Sequence, residues 1–213
     1  MDGYLFGKKA ACVLLVGLAM TVSVAYSHEI SERGYWIGDA SDWHYTDQEL
    51  AAGLVRFWQS ENAKTIVDFG CGEGKYVRCF LDHGFNCEGY DGNPSTPQLT
   101  NGLCKIIDLS EPFDLGKTFD WVLSIEVGEH LPHQFERIYI ENLVRHAKNG
   151  IVASWAVKNQ GGTGHFNEQN NDYIKNVFSE YGYINDVQAE EKLRAQASFG
   201  WFKNTIMVFR KRS

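Results

Sequence analysis

Apolar positions along this chain alternate between two rhythms. Short runs, three of them ending at an aspartate, predict strands at Thr65–Asp68, Asn86–Asp91, Cys104–Asp108, Phe119–Ile125 and Gly150–Trp155. Between and around them, apolar residues fall at helical spacing: Leu50, Leu54, Phe57 and Trp58 form one stripe, and Phe135, Ile138 and Tyr139 a second. Tyr173, Ile174, Val177, Phe178 and Tyr181 form a third, which Gly182 ends. Thr46-Asp47-Gln48-Glu49 reads as a capping box, with Thr46 and Glu49 satisfying the first backbone N–H groups of the opening helix. Alternating strands and helices predict an α/β fold with a mostly parallel sheet covered on both faces. Tyr183–Val187 and Thr205–Phe209, with no helix predicted between them, close the sheet as an antiparallel edge pair.

The first residues follow a different pattern. Lys8-Lys9 precede an uncharged apolar run from Ala10 to Ala25, and Ala25-Tyr26-Ser27 offers small residues at the two positions a signal peptidase reads. Residues 1–27 are therefore expected to be a cleaved signal peptide or a retained membrane anchor, placing the rest in the secretory pathway, secreted, lumenal or anchored. Residues 28–60 are assigned to an N-terminal arm and helix, and 61–213 to the main domain. The full 213 residues suit one domain with a sizeable core. A net charge of −7 without a Lys/Arg block argues against duplex nucleic acid as a partner. Five cysteines occur without a CxxC pair, so a structural zinc site is not expected and free thiols are.

The most informative segment is Ile66-Val67-Asp68-Phe69-Gly70-Cys71-Gly72-Glu73-Gly74, a buried strand entering a glycine-rich turn, with a helix from about Lys75. A nucleotide-triphosphate loop requires GxxxxGK[ST]; here Tyr76 follows Lys75, and Phe69 stands where the first glycine belongs. A dinucleotide fingerprint requires GxGxxG, and Lys75 occupies its third glycine position. An acid ending the strand before GxGxG resembles the first motif of class I S-adenosylmethionine-dependent methyltransferases. That resemblance implies a Rossmann-like fold, S-adenosylmethionine as cofactor and methyl transfer to an acceptor. It also implies cofactor contacts from Asp68, Gly70, Cys71 and Gly72, from Asp91 to the ribose hydroxyls, and from Asp108 and Leu109 to the adenine. Asp91-Gly92-Asn93-Pro94 is in addition a strong turn sequence in its own right.

Glu126-Val127-Gly128-Glu129-His130 resembles the ExxEH segment of ubiquinone-biosynthesis O-methyltransferases and of the enzymes that methylate the 3′ ends of small RNAs. If these residues form a helical turn, Glu126, Glu129 and His130 share a face. The resemblance implies a role for them with His165 in catalysis, and a divalent metal as one option. The residues leave three readings open: a metal site, His130 as a general base or hydrogen-bond partner, or a packing role. Tyr35, Trp36, Trp43, His44 and Tyr45 precede the first helix as a candidate lid or as anchors of the arm. A small-molecule acceptor, possible at oxygen, is favoured because the chain has little room for a second domain; the alternative is a non-catalytic binding module on the same fold.

Overall fold

The structure, a computed structural model, describes residues 29–39 and 44–212. The segment expected to be a leader, and Trp43 of the candidate lid, lie outside them. A short antiparallel hairpin, β1 (Glu29–Ile30) and β2 (Trp36–Ile37), leads to helix α1 (Gln48–Ser60). There follow β3 (Thr65–Phe69), α2 (Lys75–Asp82), β4 (Asn86–Asp91), α3 (Thr96–Leu99), β5 (Lys105–Ile106) and β6 (Phe119–Ser124). Next come α4 (Glu136–His146), β7 (Ala147–Ala153), α5 (Asn171–Glu180), β8 (Tyr183–Asn185), α6 (Val187–Gln196), α7 (Phe202–Thr205) and β9 (Met207–Lys211).

The seven-stranded sheet runs β5-β4-β3-β6-β7-β9-β8, parallel except for β9. Strand alternation puts Ile66, Trp121, Leu123 and Val152 on one face, against Leu54 and Trp58 of α1 and Phe80 of α2. Val67, Val122 and Ile151 face the other way, onto Tyr139 and Leu143 of α4 and Phe178 of α5. Burial on both sides explains the continuous apolar runs of the central strands. The strand order reverses around β3, where crossovers leave a crevice beyond the carboxyl ends of β3, β4 and β6.

Three expectations are corrected. The antiparallel pair exists, but α6 and α7 lie between its strands, Val187 begins α6, and Thr205 ends α7 rather than starting a strand. The N-cap of α1 is Asp47, not Thr46. One Asp47 oxygen accepts from Leu50 N at 3.0 Å, and the other from Ser198 N at 2.6 Å and Phe199 N at 2.8 Å. Those last contacts come from 150 residues away in the fold's C-terminal part, which no local capping rule includes. The strand expected at Cys104–Asp108 is only Lys105–Ile106.

Cys71, Cys79, Cys87 and Cys104 are free thiols, as expected. No helix among the described residues is long and apolar enough to cross a membrane.

Candidate active site

A cleft of about 470 Å³ opens at the crevice beyond β3, β4 and β6. Its floor is the turn after β3. Gly70 N and Cys71 N both donate to Tyr90 O, at 2.7 and 3.1 Å, and Gly74 N donates to Cys71 O at 2.8 Å. Gly72 N donates to Asp91 Oδ2 at 2.8 Å. These four N–H groups are thus committed within the protein, unlike a phosphate-gripping loop, whose N–H groups point at the ligand. Gly70 has φ +84°, and a Cβ there would stand 2.2 Å from Val127 Cγ2, so neither its conformation nor its surroundings admit a side chain.

Asp68, beneath the turn, is buried; burial pushes its carboxyl well above the usual range, and Cys104 and Asp91 add to the shift. Cys71 is buried, its thiol pushed up by a hydrogen bond with Cys104 and by burial. Asp91 ends β4 on the cleft wall and braces two turns, since its Oδ1 accepts from Asn93 N at 2.9 Å while Oδ2 holds Gly72. Asp91 is thus a turn acid that lies on the cleft wall. Asp108 Oδ1 accepts from Ser110 N and Oγ at 2.9 and 2.6 Å, and its Oδ2 lies 3.3 Å from Arg33 Nη1. Leu109 is buried alongside on the same wall.

The N-terminal arm crosses the top of this cleft. Arg33 also pairs with Glu111, and Asn93 Nδ2 donates to Gly38 O at 2.7 Å. Tyr35 packs where a Cβ on Gly92 would stand 2.7 Å from its ring, and the His44 ring lies 3.1 Å from the corresponding point on Gly72. Trp36 meets His130 edge-on with centroids 6.0 Å apart, whereas Tyr45 is 63% exposed at the rim, edge-on to Phe199.

Glu126, Glu129 and His130 do not lie on a helix. The chain leaves β6 into a loop in which Glu126 takes φ +53°, a strained conformation for a residue with a side chain, and His130 N closes a turn onto Val127 O at 3.0 Å. The loop nevertheless brings donor atoms of Glu129, His130 and His165 within 4.8 Å of one another. Glu126 stands beside this group, with its Oε1 accepting from Ser154 Oγ at 2.7 Å. Glu129 is fully buried, neither carboxylate oxygen has a hydrogen-bond partner, and burial together with the Glu126 carboxyl pushes its pKa well up. His130 Nδ1 lies 3.1 Å from Gly164 O, so it carries the proton and leaves Nε2 with a free lone pair. Burial, with His165 adding to it, pushes His130 down to about 4.

A family model described as a methyltransferase domain matches residues 43–186. The chain belongs to that methyltransferase family. No curated protein sequence matches it. Among solved structures, this methyltransferase is similar to magnesium protoporphyrin IX methyltransferase from Synechocystis PCC 6803 with bound SAH (17% identity, TM-score 0.60, 78% of this chain and 83% of that one). It is also similar to an amino pentose methyltransferase from Micromonospora echinaspora with bound SAM (16% identity, TM-score 0.61, 80% and 93%). A third similar structure is the methyltransferase domain of a bacterial Hen1 protein (20% identity, TM-score 0.55, 78% and 98%).

Several residues lining the methyltransferase cleft carry no signal in the sequence. Arg33 sits in a polar stretch without periodicity. Trp201 and Phe202 fall in a segment to which the sequence reading assigned no element, whereas they form part of the cleft wall. The density of aromatics at Phe199, Trp201 and Phe202 is the one signal that could have found them.

Proposed function

We propose that this methyltransferase binds S-adenosylmethionine in the cleft and transfers its methyl group to an oxygen of a small, uncharged acceptor. The observation that carries the reading is the hydrogen bonding of the turn: its N–H groups serve Tyr90, Asp91 and Cys71, which suits a nucleoside cofactor without phosphate. Asp91 retains lone pairs toward the cleft for the two ribose hydroxyls, and Asp108 and Leu109 stand where an adenine edge is read. When bound, S-adenosylmethionine supplies an electrophilic methyl on a sulfonium centre. The chain's own task is geometry: the arm carrying Tyr35 and Trp36 covers the cleft, excludes water and restricts the acceptor to an in-line approach.

Support for an uncharged acceptor comes from the cations of the cleft. Arg33 is paired with Asp108 and Glu111, and Lys75 with Glu73, which leaves neither as a dedicated anion ligand. The size of the cleft and the aromatic rings of Trp36, Tyr45 and Trp201 fit a small molecule.

The donor set at Glu129, His130 and His165 fits a divalent cation, because a buried carboxylate without partners stands beside two imidazoles whose Nδ1 atoms are already committed. Bound there, a cation would supply Lewis acidity that makes an acceptor hydroxyl easier to deprotonate. This reading is preferred to His130 as general base, since an imidazole held at about 4 is a weak base near neutrality. For residues 1–27 we retain delivery to the secretory route, on the basis of the two lysines and the apolar run that follows.

Labelled methyl transfer to pooled small-molecule acceptors, with and without chelator, tests these statements together. Activity lost with chelator and restored by Mn²⁺ or Mg²⁺ is expected. Activity indifferent to chelator and to Glu129→Ala would remove the metal, and cofactor binding without modification of any acceptor would favour a non-catalytic module. A folded chain that binds neither S-adenosylmethionine nor its demethylated product would remove the central reading.

A further inference from the structure

The loop between β7 and α5 contains an acid that neither the motif nor the cleft wall accounts for. Glu168 Oε1 accepts from Gly161 N at 2.7 Å and lies 3.1 Å from His165 Nδ1, while its Oε2 accepts from Asn159 N at 2.7 Å. One carboxylate therefore pins the start of the loop and the histidine at its far side. Both oxygens thus accept backbone N–H bonds, the pattern of an ionised carboxylate that offers no proton of its own. An ionised carboxylate only accepts, so His165 must present Nδ1–H to it, leaving the lone pair on Nε2. Position 162 gives the ring room, since a Cβ there would stand 2.3 Å from His165 Nε2. The loop is anchored from the other side as well: Phe166 N and Asn167 N donate to Glu129 O at 2.8 and 2.9 Å, and Gly164 O takes the His130 ring.

We propose that Glu168 is a positioning residue that fixes His165 as its Nδ1–H tautomer, with Nε2 the atom offered to the Glu129 and His130 donors. The inference rests on the metal reading above only for its consequence, a raised cation affinity; the tautomer itself is independent of that reading. A carboxylate behind a ligating imidazole orients the ring and raises its basicity, and such partners are typically worth about 10- to 100-fold in metal affinity.

The test is a double-mutant cycle on the full chain, with Mn²⁺ alone as the probe, followed by calorimetry and by the electron paramagnetic resonance signal of free Mn²⁺. Glu168→Ala is expected to weaken Mn²⁺ about 10- to 100-fold in the wild-type background. In a His165→Ala background it should cost less than about twofold, because its effect passes through the imidazole. Binding of the demethylated cofactor product is the control for folding and should stay within about twofold in every variant. Equal losses in both backgrounds would mean that Glu168 acts only as a loop brace, and unchanged affinity in Glu168→Ala would likewise overturn the proposal.

Ring ¹⁵N shifts of His165 give a second readout that needs no metal. The wild type should show a protonated Nδ1 and an unprotonated Nε2, with Glu168→Ala losing that preference; Nε2–H in the wild type overturns the proposal. A wild type that binds no Mn²⁺ removes the metal reading instead, and the tautomer then decides the inference by itself.

Discussion

Asp91→Asn separates the two jobs that meet on one carboxylate. In the wild type, Oδ1 accepts from Asn93 N and Oδ2 from Gly72 N, so each oxygen already has one backbone donor. Asparagine keeps one oxygen, and it serves the Asn93 turn as well as aspartate does. The loss then falls on Gly72, whose N–H faces an amide NH₂ in place of an acceptor. Leaving a donor unsatisfied costs about 1–3 kcal/mol, toward the lower end here because the site is only half-buried. If the same carboxylate also accepts from the cofactor's ribose, the variant loses part of a hydrogen bond to a charged group as well. That amounts to about 1.5–3 kcal/mol of binding, or roughly 10- to 150-fold in the dissociation constant. Calorimetric titration with the demethylated cofactor product reads the second quantity and urea unfolding the first. Binding within about threefold of wild type, with stability lowered as calculated, would show that Asp91 only braces the turn and would refute the ribose assignment.

Two further outcomes follow from the same geometry and one from the sequence. Gly70→Ala combines about 1–2 kcal/mol for a side chain at φ +84° with about 1–3 kcal/mol of overpacking against Val127; Val127→Ala should recover the steric part in urea unfolding, and no recovery would show the clash is not with Val127. Asp68 has a raised pKa in the fold, so between its unfolded value of 3.8 and its folded value the native state holds a proton that the unfolded chain has lost. Stability without cofactor should therefore fall relative to Asp68→Asn as pH rises above about 4, by at most about 1.4 kcal/mol per pH unit; a pH-independent difference between the two contradicts the shift. Mass measurement of the mature chain should place His28 first if the leader is cleaved, whereas an intact N-terminus means that it is retained.

The central strands and their helices were legible because their signals are local. β3 and β6 bury both faces, so their apolar runs stand out whatever the rest of the chain does. The turn was legible for a different reason: Gly70, Gly72 and Gly74 all have positive φ, and few residues meet that demand. α6 was missed because most of its length is charged or polar, with Ala189 and Leu193 as its main apolar contacts to the core. Its start depends on Asp186, which accepts from Ala189 N at 3.0 Å and also pairs with Arg210 from β9. Half of that device lies 24 residues away in the chain. Glu126 and Glu129 converge, but not by the helical spacing that suggested it; the strained Glu126 and the turn closed by His130 do the work. Spacing anticipated that Glu129 and His130 would come together but not the backbone that brings them there, because an i, i+3 relation is satisfied by a turn as well as by a helix.

Charge is where sequence and site meet most closely. The excess of acids over bases is visible in the composition, but composition gives no position for it. In the fold, Asp68 lies buried under the cleft floor and Glu129 under its wall, and in each case burial and a neighbouring acid both oppose ionisation. The basic residues of the same cleft, Arg33 and Lys75, are engaged with Asp108, Glu111 and Glu73. Such a cleft favours ligands that bring positive charge with them, since a buried carboxylate is stabilised by a nearby cation and gains nothing from a phosphate. A sulfonium near Asp68 and, on the proposal above, a divalent cation at Glu129 would meet that requirement in two separate places. The turn's committed N–H groups offer a phosphate no donors, and the buried acids, whose ionisation is opposed, offer it no positive charge. Two independent physical reasons thus select the same class of cofactor, and neither depends on the likeness of the fold to other methyltransferases.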